Sequence, residues 1–295
     1  MKKLTIAYLG PEKTNTHFAA MRRFGPKNKY VHAPTVDEVF HAVERGRADY
    51  GVVPVENSLE GTVTRTLDRF VDFIHTPTSI HGEIEEPIKH CLIVHSSAKL
   101  GNIKVVFSHP QVFAQCREWL EKHFHHACLY ETNSTAEAVR HILSKRRVWV
   151  RMSGPGSGEK AEPHERAAIG RRELAMGRGK KLKAISIPEE RDNKTRFLII
   201  GLGKAHRGRR NKTSILFALK DRPGALHDAL MPFKRNQINL TKIESRPSKR
   251  KAWEYLFFID FVGHVEESRV KRALKALQRS TSVLRVLGSY PISKS

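Results

Sequence analysis

Thr195-Arg196-Phe197 places a hydroxyl, a permanent cation and an aromatic face side by side, just ahead of the apolar run Leu198-Ile199-Ile200. A guanidinium can hold a carboxylate through two parallel hydrogen bonds, and a fixed hydroxyl can direct a third. Such a triplet suits an anionic substrate, although alone it also suits the entry to a strand. Glu56-Asn57-Ser58 follows the apolar stretch Tyr50 to Val55. Polar residues at the carboxyl end of a strand in an open α/β sheet lie where ligands bind. Asn and Ser are equally good caps for the helix expected to start near Gly61. Ser134-Thr135 has the same two readings, as a cap or as part of a cleft. In Ser108-His109-Pro110-Gln111, His109 reads as a strand-end histidine before a proline-initiated helix, and Gln111 as a residue lining the cleft.

The elements that must position these groups alternate. Leu4–Leu9 and Tyr50–Val55 read as short buried strands, as do Ile88–Val94, Lys104–Phe107, Leu129–Thr132 and Ala167–Gly170. Between them, apolar residues at helical spacing mark Thr16–Phe24, Val36–Val43, Gly61–Phe73, Pro110–Phe124 and a helix ending at Leu143. That alternation predicts an α/β fold with a largely parallel sheet. Residues 144–166 read as a basic loop, and Lys204–Asn211 as a basic linker. The last 83 residues run strand, helix, strand, strand, helix, strand, the βαββαβ order of a ferredoxin-like domain.

The net charge of +23 is distributed unevenly: zero over residues 1–139, +14 over 140–212 and +9 over 213–295. An excess that begins at one place points to a local feature, either an exposed basic insertion or a polyanion-binding segment spanning 144–212. No stretch approaches the roughly 18 apolar residues of a membrane helix. Leu4–Leu9 enters Gly10-Pro11 with no cleavage site, so a buried strand is expected there rather than a signal peptide. Cys91, Cys116 and Cys128 form neither a disulfide framework nor metal-ligand spacing, which fits a cytoplasmic protein. No glycine-rich phosphate loop and no His/Cys cluster is present, so neither cofactor nor metal is expected.

In order and spacing, Gly10-Pro11-Glu12-Lys13-Thr14, Asn57-Ser58-Leu59-Glu60-Gly61, Ser108-His109-Pro110-Gln111, Ser134-Thr135-Ala136, Thr195-Arg196-Phe197, Gly224-Ala225-Leu226 and Glu244-Ser245-Arg246-Pro247 resemble the prephenate dehydratases with an appended ACT regulatory domain. The resemblance runs from Ile6 to about Leu287 and leaves out residues 144–166. It implies a two-lobed, periplasmic-binding-protein-like catalytic domain over 1–203, with its active site in the cleft. Lobe 1 would take about 1–80 and 167–203, lobe 2 about 81–166. A linker over 204–212 and an ACT domain over 213–295 would follow.

The implied reaction turns prephenate into phenylpyruvate with loss of water and carbon dioxide, in phenylalanine biosynthesis. Thr195 would be the catalytic residue. A threonine hydroxyl is a poor acid at neutral pH, so Thr195 would act as an oriented donor to the departing hydroxyl. Thr14, Glu56, Asn57, Ser58, Gln111, Ser134, Thr135, Arg196 and Phe197 would surround the substrate. Arg196 reads as a carboxylate partner or a structural ion pair, and Phe197 as ring contact or core. Gly224, Ala225, Leu226, Asn239, Leu240, Glu244, Ser245, Arg246 and Pro247 would bind L-phenylalanine as effector in a homodimer or homotetramer. A fused chorismate mutase is not expected ahead of Leu4. The family pattern Gly-Pro-x-Gly-Thr-Phe is altered here by Lys13 in place of glycine and Asn15 in place of the aromatic residue. If that glycine adopts a positive φ, Lys13 carries strain. Two other functions share the scaffold: arogenate dehydratase, and a non-catalytic amino-acid sensor or polyanion binder.

Overall fold

The computed structural model describes residues 3–72, 76–144, 148–151, 158–176, 181–188, 192–220, 222–248 and 254–293. Residues 145–147 and 152–157 of the expected basic loop lie outside them.

In chain order the elements are β1 (Thr5–Leu9), α1 (Asn15–Phe24), β2 (Lys29–Ala33), α2 (Val36–Glu44), β3 (Tyr50–Asn57), β4 (Gly61–Thr62), α3 (Thr64–Asp72) and β5 (Thr78–Pro87). Then come β6 (Cys91–His95), β7 (Val105–Ser108), α4 (Pro110–Gln115), α5 (Arg117–Phe124), β8 (Cys128–Glu131), α6 (Thr135–Leu143), β9 (Val148–Arg151), β10 (Gly158–Ala161), β11 (Arg166–Gly170) and β12 (Leu182–Ser186). The chain closes with β13 (Lys194–Leu202), β14 (Asn211–Leu219), α7 (Ala225–Arg235), β15 (Leu240–Pro247), β16 (Tyr255–Val262), α8 (Ser268–Gln278) and β17 (Thr281–Pro291).

Two compact units result. The first comprises residues 1–11, 16–86 and 195–295, the second 12–15 and 87–194. In the first unit a sheet of order β2-β1-β3-β13-β5, with β4 on β3, is parallel at β1, β2 and β3 and antiparallel at β13. The C-terminal segment forms the expected βαββαβ domain, of order β15-β16-β14-β17. One face of that sheet packs on α7 and α8 around Phe217, Phe233, Ile259 and Phe261. Its other face, with Leu216, Phe258, Leu287 and Tyr290, shares a core with Val53, Val55, Leu198 and Ile200 of the first sheet. Gly288 permits this contact: a Cβ there would lie 2.2 Å from the Ile80 carbonyl oxygen.

The second unit holds a mixed sheet of order β12-β6-β11-β7-β8. Strands β7, β8 and β11 are parallel, while β6 runs antiparallel to β11 and β12.

Several expectations need correction. The chain re-enters the first unit at Thr195 rather than near residue 167. The cause is that β11 and β12 both pair with β6 and stay in the second sheet. Strand β5, which carries Glu83, Glu85 and Glu86, is absent from the sequence reading. Glu83 and Glu86 are buried. The helix expected over Pro110–Phe124 is interrupted at Cys116. The basic segment 144–166 includes an antiparallel pair, β9 with β10, rather than loop alone. The linker ends earlier than residue 212, since Asn211 and Lys212 already belong to β14.

Candidate active site

In the first unit, β3 and β13 meet with Thr195 opposite Asn57 and Arg196 opposite Glu56. Both pairs stand at the carboxyl end of β3, where an open sheet receives ligands. Asn57 Nδ2 donates to Thr195 Oγ1 at 3.0 Å. The Asn57 side-chain oxygen meanwhile accepts the Leu59 and Glu60 amides at 2.9 and 3.1 Å, shaping the turn that leads to β4. Asn57 therefore shapes its turn and orients the threonine; it does not cap the helix expected near Gly61, because β4 follows the turn and α3 begins only at Thr64. Because Thr195 accepts from Asn57, its own hydroxyl proton remains available for donation. Ser58 is exposed on the same turn.

Side chains alternate across a strand, and β13 shows the consequence. Phe197 and Ile199 pack with Ile6, Tyr8 and Ala19 on one face. Leu198 and Ile200 lie on the other, against the C-terminal domain. Thr195 shares the first face and Arg196 the second. Of the two alternatives for Arg196, the geometry fits the structural ion pair. Its guanidinium contacts Glu56 at 2.8 Å, Asp260 at 3.0 Å and Glu83 at 3.4 Å. Burial disfavours the charged guanidinium, but Asp260, Glu56, the Tyr290 phenol and Glu83 outweigh it and hold its pKa above the ordinary value. Glu56 is likewise engaged inside the protein, between Arg196 and Lys242, the latter at 2.9 Å. Phe197 is 1% exposed and belongs to the core.

The cluster around Arg196 extends to Lys212, which donates to both oxygens of Glu83 at 2.8 Å. Ser214 donates to Asp260 at 2.6 Å and meets the Tyr290 hydroxyl at 2.8 Å. With the serine proton committed to Asp260, Tyr290 donates to Ser214. Burial, then Asp260 and Glu83, push the Tyr290 pKa well up. A cavity of about 20 Å³, room for roughly one water molecule, adjoins Arg196, Ser214, Lys242 and Asp260.

In the second unit the remaining candidates gather at the carboxyl ends of β7, β8 and β11. His109 caps α4 by accepting the Gln111 amide at 3.3 Å, and Gln111 is exposed at the first turn. Ser134 caps α6, accepting the Glu137 amide at 3.1 Å, with Thr135 next to it and half-buried. Thr135 also lies beside Gly170 at the end of β11. Thr14 directly precedes α1, and its neighbour Asn15 accepts from Arg171 at 3.3 Å. Lys13 has φ 65°. Arg171 is 9% exposed and follows β11. It was not singled out from sequence, because one arginine in a strongly basic stretch carries no signal; its position at a strand's carboxyl end does.

The C-terminal domain places Gly224, in the left-handed conformation with φ 77°, directly before α7, with Ala225 and Leu226 in the first turn. Asn239 is exposed and Leu240 opens β15. Along β15, Ser245 and Pro247 are exposed, whereas Glu244 and Arg246 face the opposite side. Glu244 accepts from Thr62 at 2.8 Å, and Arg246 pairs with Asp68 at 2.9 Å. These two expected effector ligands are thus already occupied by the first sheet's segment. Among the described residues, no three acidic, histidine or cysteine side chains converge as metal ligands.

Known proteins resemble this chain throughout. The prephenate dehydratase family profile matches residues 6–205, and the ACT domain profile residues 213–279. The bifunctional chorismate mutase/prephenate dehydratase of Aquifex aeolicus (strain VF5) is 44% identical over 98% of this chain and 74% of its own length. The prephenate dehydratase of Methanocaldococcus jannaschii is 36% identical over 90% of this chain and 88% of its own. The crystal structure of the Arthrobacter aurescens prephenate dehydratase in complex with L-Phe superposes with a TM-score of 0.82, at 32% identity over 97% of this chain and 90% of that one. The chain belongs to the prephenate dehydratase family and carries an ACT domain.

Proposed function

We infer that this protein is a prephenate dehydratase of phenylalanine biosynthesis, regulated through its ACT domain by L-phenylalanine. In the reaction the ring C–O bond breaks as the ring carboxylate leaves as carbon dioxide. The electron pair of the broken C–C bond enters the ring, the hydroxyl departs with a proton as water, and the ring becomes aromatic. Aromatisation supplies the driving force, so the enzyme has mainly to orient the anionic substrate and help the hydroxyl leave. The observation that carries this reading is the 3.0 Å hydrogen bond from Asn57 to Thr195, which leaves the threonine proton as an oriented donor.

Thr195 is accordingly assigned the catalytic donor role, with Asn57 and Ser58 beside it. Thr14, Gln111, Ser134 and Thr135 are assigned to substrate binding. Arg171, buried at the carboxyl end of β11 and paired with Glu173 at 3.4 Å, is assigned to a substrate carboxylate, and Arg196 to its cluster with Glu56, Glu83 and Asp260. Gly224, Ala225, Leu226, Asn239, Leu240, Ser245 and Pro247 are assigned to the effector.

A homo-oligomer formed through β15 is supported by the position of that strand at the sheet edge and by Ile243, which is 48% exposed there. A cytoplasmic location is supported by Cys91, Cys116 and Cys128, which are not joined by disulfides; among the described residues no helix is long and apolar enough to cross a membrane. The deciding experiment follows phenylpyruvate formation from prephenate by the purified protein, with and without L-phenylalanine, and repeats it with arogenate. Turnover of prephenate, altered by phenylalanine, is expected. Turnover of arogenate alone would reassign the substrate, and salt-dependent nucleic-acid binding without turnover would support the polyanion-binding alternative.

A further inference from the structure

Strand β15 connects the ACT domain to the turn that carries Asn57. Lys242 is 8% exposed at its side chain and donates to Glu56 Oε1 at 2.9 Å and to Thr62 Oγ1 at 3.1 Å. Thr62 in turn donates to Glu244, two residues along β15, at 2.8 Å. Glu56 and Thr62 face each other across β3 and β4, and the next pair, Asn57 with Gly61, closes the turn. Two inward-facing side chains of one strand thus hold both ends of the turn from which Asn57 reaches Thr195.

The carboxylate of Glu56 makes the connection specific. One oxygen accepts from Lys242, the other from Arg196 at 2.8 Å. Arg196 precedes the bulge in the β3–β13 register and follows Thr195 directly. Glu56 therefore joins the two backbone positions adjacent to the Asn57–Thr195 contact, and Lys242 sets where that carboxylate stands. We propose that Lys242 is a positioning residue for Thr195, acting through Glu56 and Asn57, and that it transmits occupancy of the outer face of β15 to the donor hydroxyl. The second half rests on the effector assignment made above. Thr241, Ile243 and Ser245 occupy the outer face of the same strand, so a ligand that shifts them shifts Lys242 as well.

A double-mutant cycle tests the proposal. Lys242→Met keeps the aliphatic stem and removes the cation. It should lower kcat for prephenate about ten-fold, within the range of couplings in one hydrogen-bond network, while KM changes little. Lys242→Arg should recover most of the loss. Asn57→Asp keeps the oxygen that accepts the Leu59 and Glu60 amides but loses the donor to Thr195. In that background Lys242→Met should cost less than about two-fold, the signature of two residues acting in series. The phenylalanine-induced change in rate should also shrink in Lys242→Met.

Equal kcat losses in both backgrounds, an unchanged kcat, or equal damage from Met and Arg at position 242 would overturn the proposal. If Lys242→Met does not fold, Glu56→Gln enters the same cycle with the same expectations. A wild-type rate insensitive to phenylalanine would remove the effector assignment, and the double-mutant cycle would still decide the positioning role.

Discussion

Asn57 donates to Thr195 across the last rung between β3 and β13, at 3.0 Å, with the two residues 138 positions apart in the chain. The direction of that bond is what gives the threonine its use, because a hydroxyl that accepts from an amide still has its proton to give. Thr195→Ala should lower kcat about 10²-fold or more, the scale of a lost proton donor, with a thermal midpoint close to wild type. Asn57→Asp should lower kcat as well, since a carboxylate next to Thr195 would capture its proton. Near-wild-type turnover in Thr195→Ala, measured as phenylpyruvate formation, would remove Thr195 from the mechanism.

Arg196 makes a different prediction from its neighbour, because it lies on the opposite face of β13 and is held by Glu56, Glu83 and Asp260. Asp260→Asn removes a buried charge from this cluster and, with one oxygen replaced by an NH2 donor, deprives either Arg196 or Ser214 of its acceptor there. A loss of about 3 kcal/mol is expected, as for other broken buried pairs, read from denaturant unfolding. KM for prephenate should change less than stability does. A large rise in KM with unchanged stability would return Arg196 to the substrate site.

How much of this was legible beforehand depended on periodicity. The βαββαβ order could be read directly, because apolar spacing encodes it. The ends of β3, β7 and β8 were legible as ligand-bearing positions, since polar residues there follow buried strands. The partners of Arg196 were not. Glu56, Glu83 and Asp260, and Lys212 and Lys242, which share two of these carboxylates, lie far apart in the chain, and only the fold brings them to one place. For the same reason β5 was invisible: its buried acids find their cations only in the fold, Glu83 in Lys212 and Arg196 and Glu86 in Arg22. Alternation does place Thr195 and Arg196 on opposite faces, a consequence that the resemblance between motifs obscured.

Lys13 stands where the family pattern has glycine, and its φ of 65° is the conformation that glycine adopts freely. A non-glycine residue there costs about 1–2 kcal/mol. Glycine in turn loses about 0.4–1 kcal/mol through its more flexible unfolded chain. Lys13→Gly should therefore be neutral to stabilising, by no more than about 1.6 kcal/mol, measured by the shift in denaturant midpoint. A clear loss of stability would show that contacts of the lysine side chain exceed the backbone strain.

Gly288 answers to sterics alone. Strand β17 passes so close to Ile80 that a Cβ would overlap its carbonyl oxygen at 2.2 Å, and a backbone atom cannot move aside as a side-chain tip can. Gly288→Ala should destabilise the protein by about 1–3 kcal/mol, the usual cost of overpacking. The damage should be local to the packing of β17 on β5, so hydrogen exchange should rise along Thr78–Pro87 and Thr281–Pro291 before the second unit responds.

Acid should release the hold on the Asn57 turn. Burial would raise the Glu56 pKa, but the hydrogen bond from Lys242 and the charges of Arg196 and Lys242 outweigh it and hold it below the ordinary carboxylate value. A carboxylate with a depressed pKa in the folded state contributes stability that is fully present above its unfolded pKa, about 4.3. That contribution is lost as pH falls through the folded value. Glu56→Gln cannot titrate at this position, so its thermal midpoint should lie below wild type from pH 6 to 8 by a constant amount. Below about pH 4.3 the difference should narrow, because protonation makes the wild-type residue resemble the amide. Paired melting curves across that range measure it directly, and a difference that stayed constant down to the acid limit would mean that Glu56 titrates as an ordinary surface carboxylate, without the hold of Lys242 and Arg196.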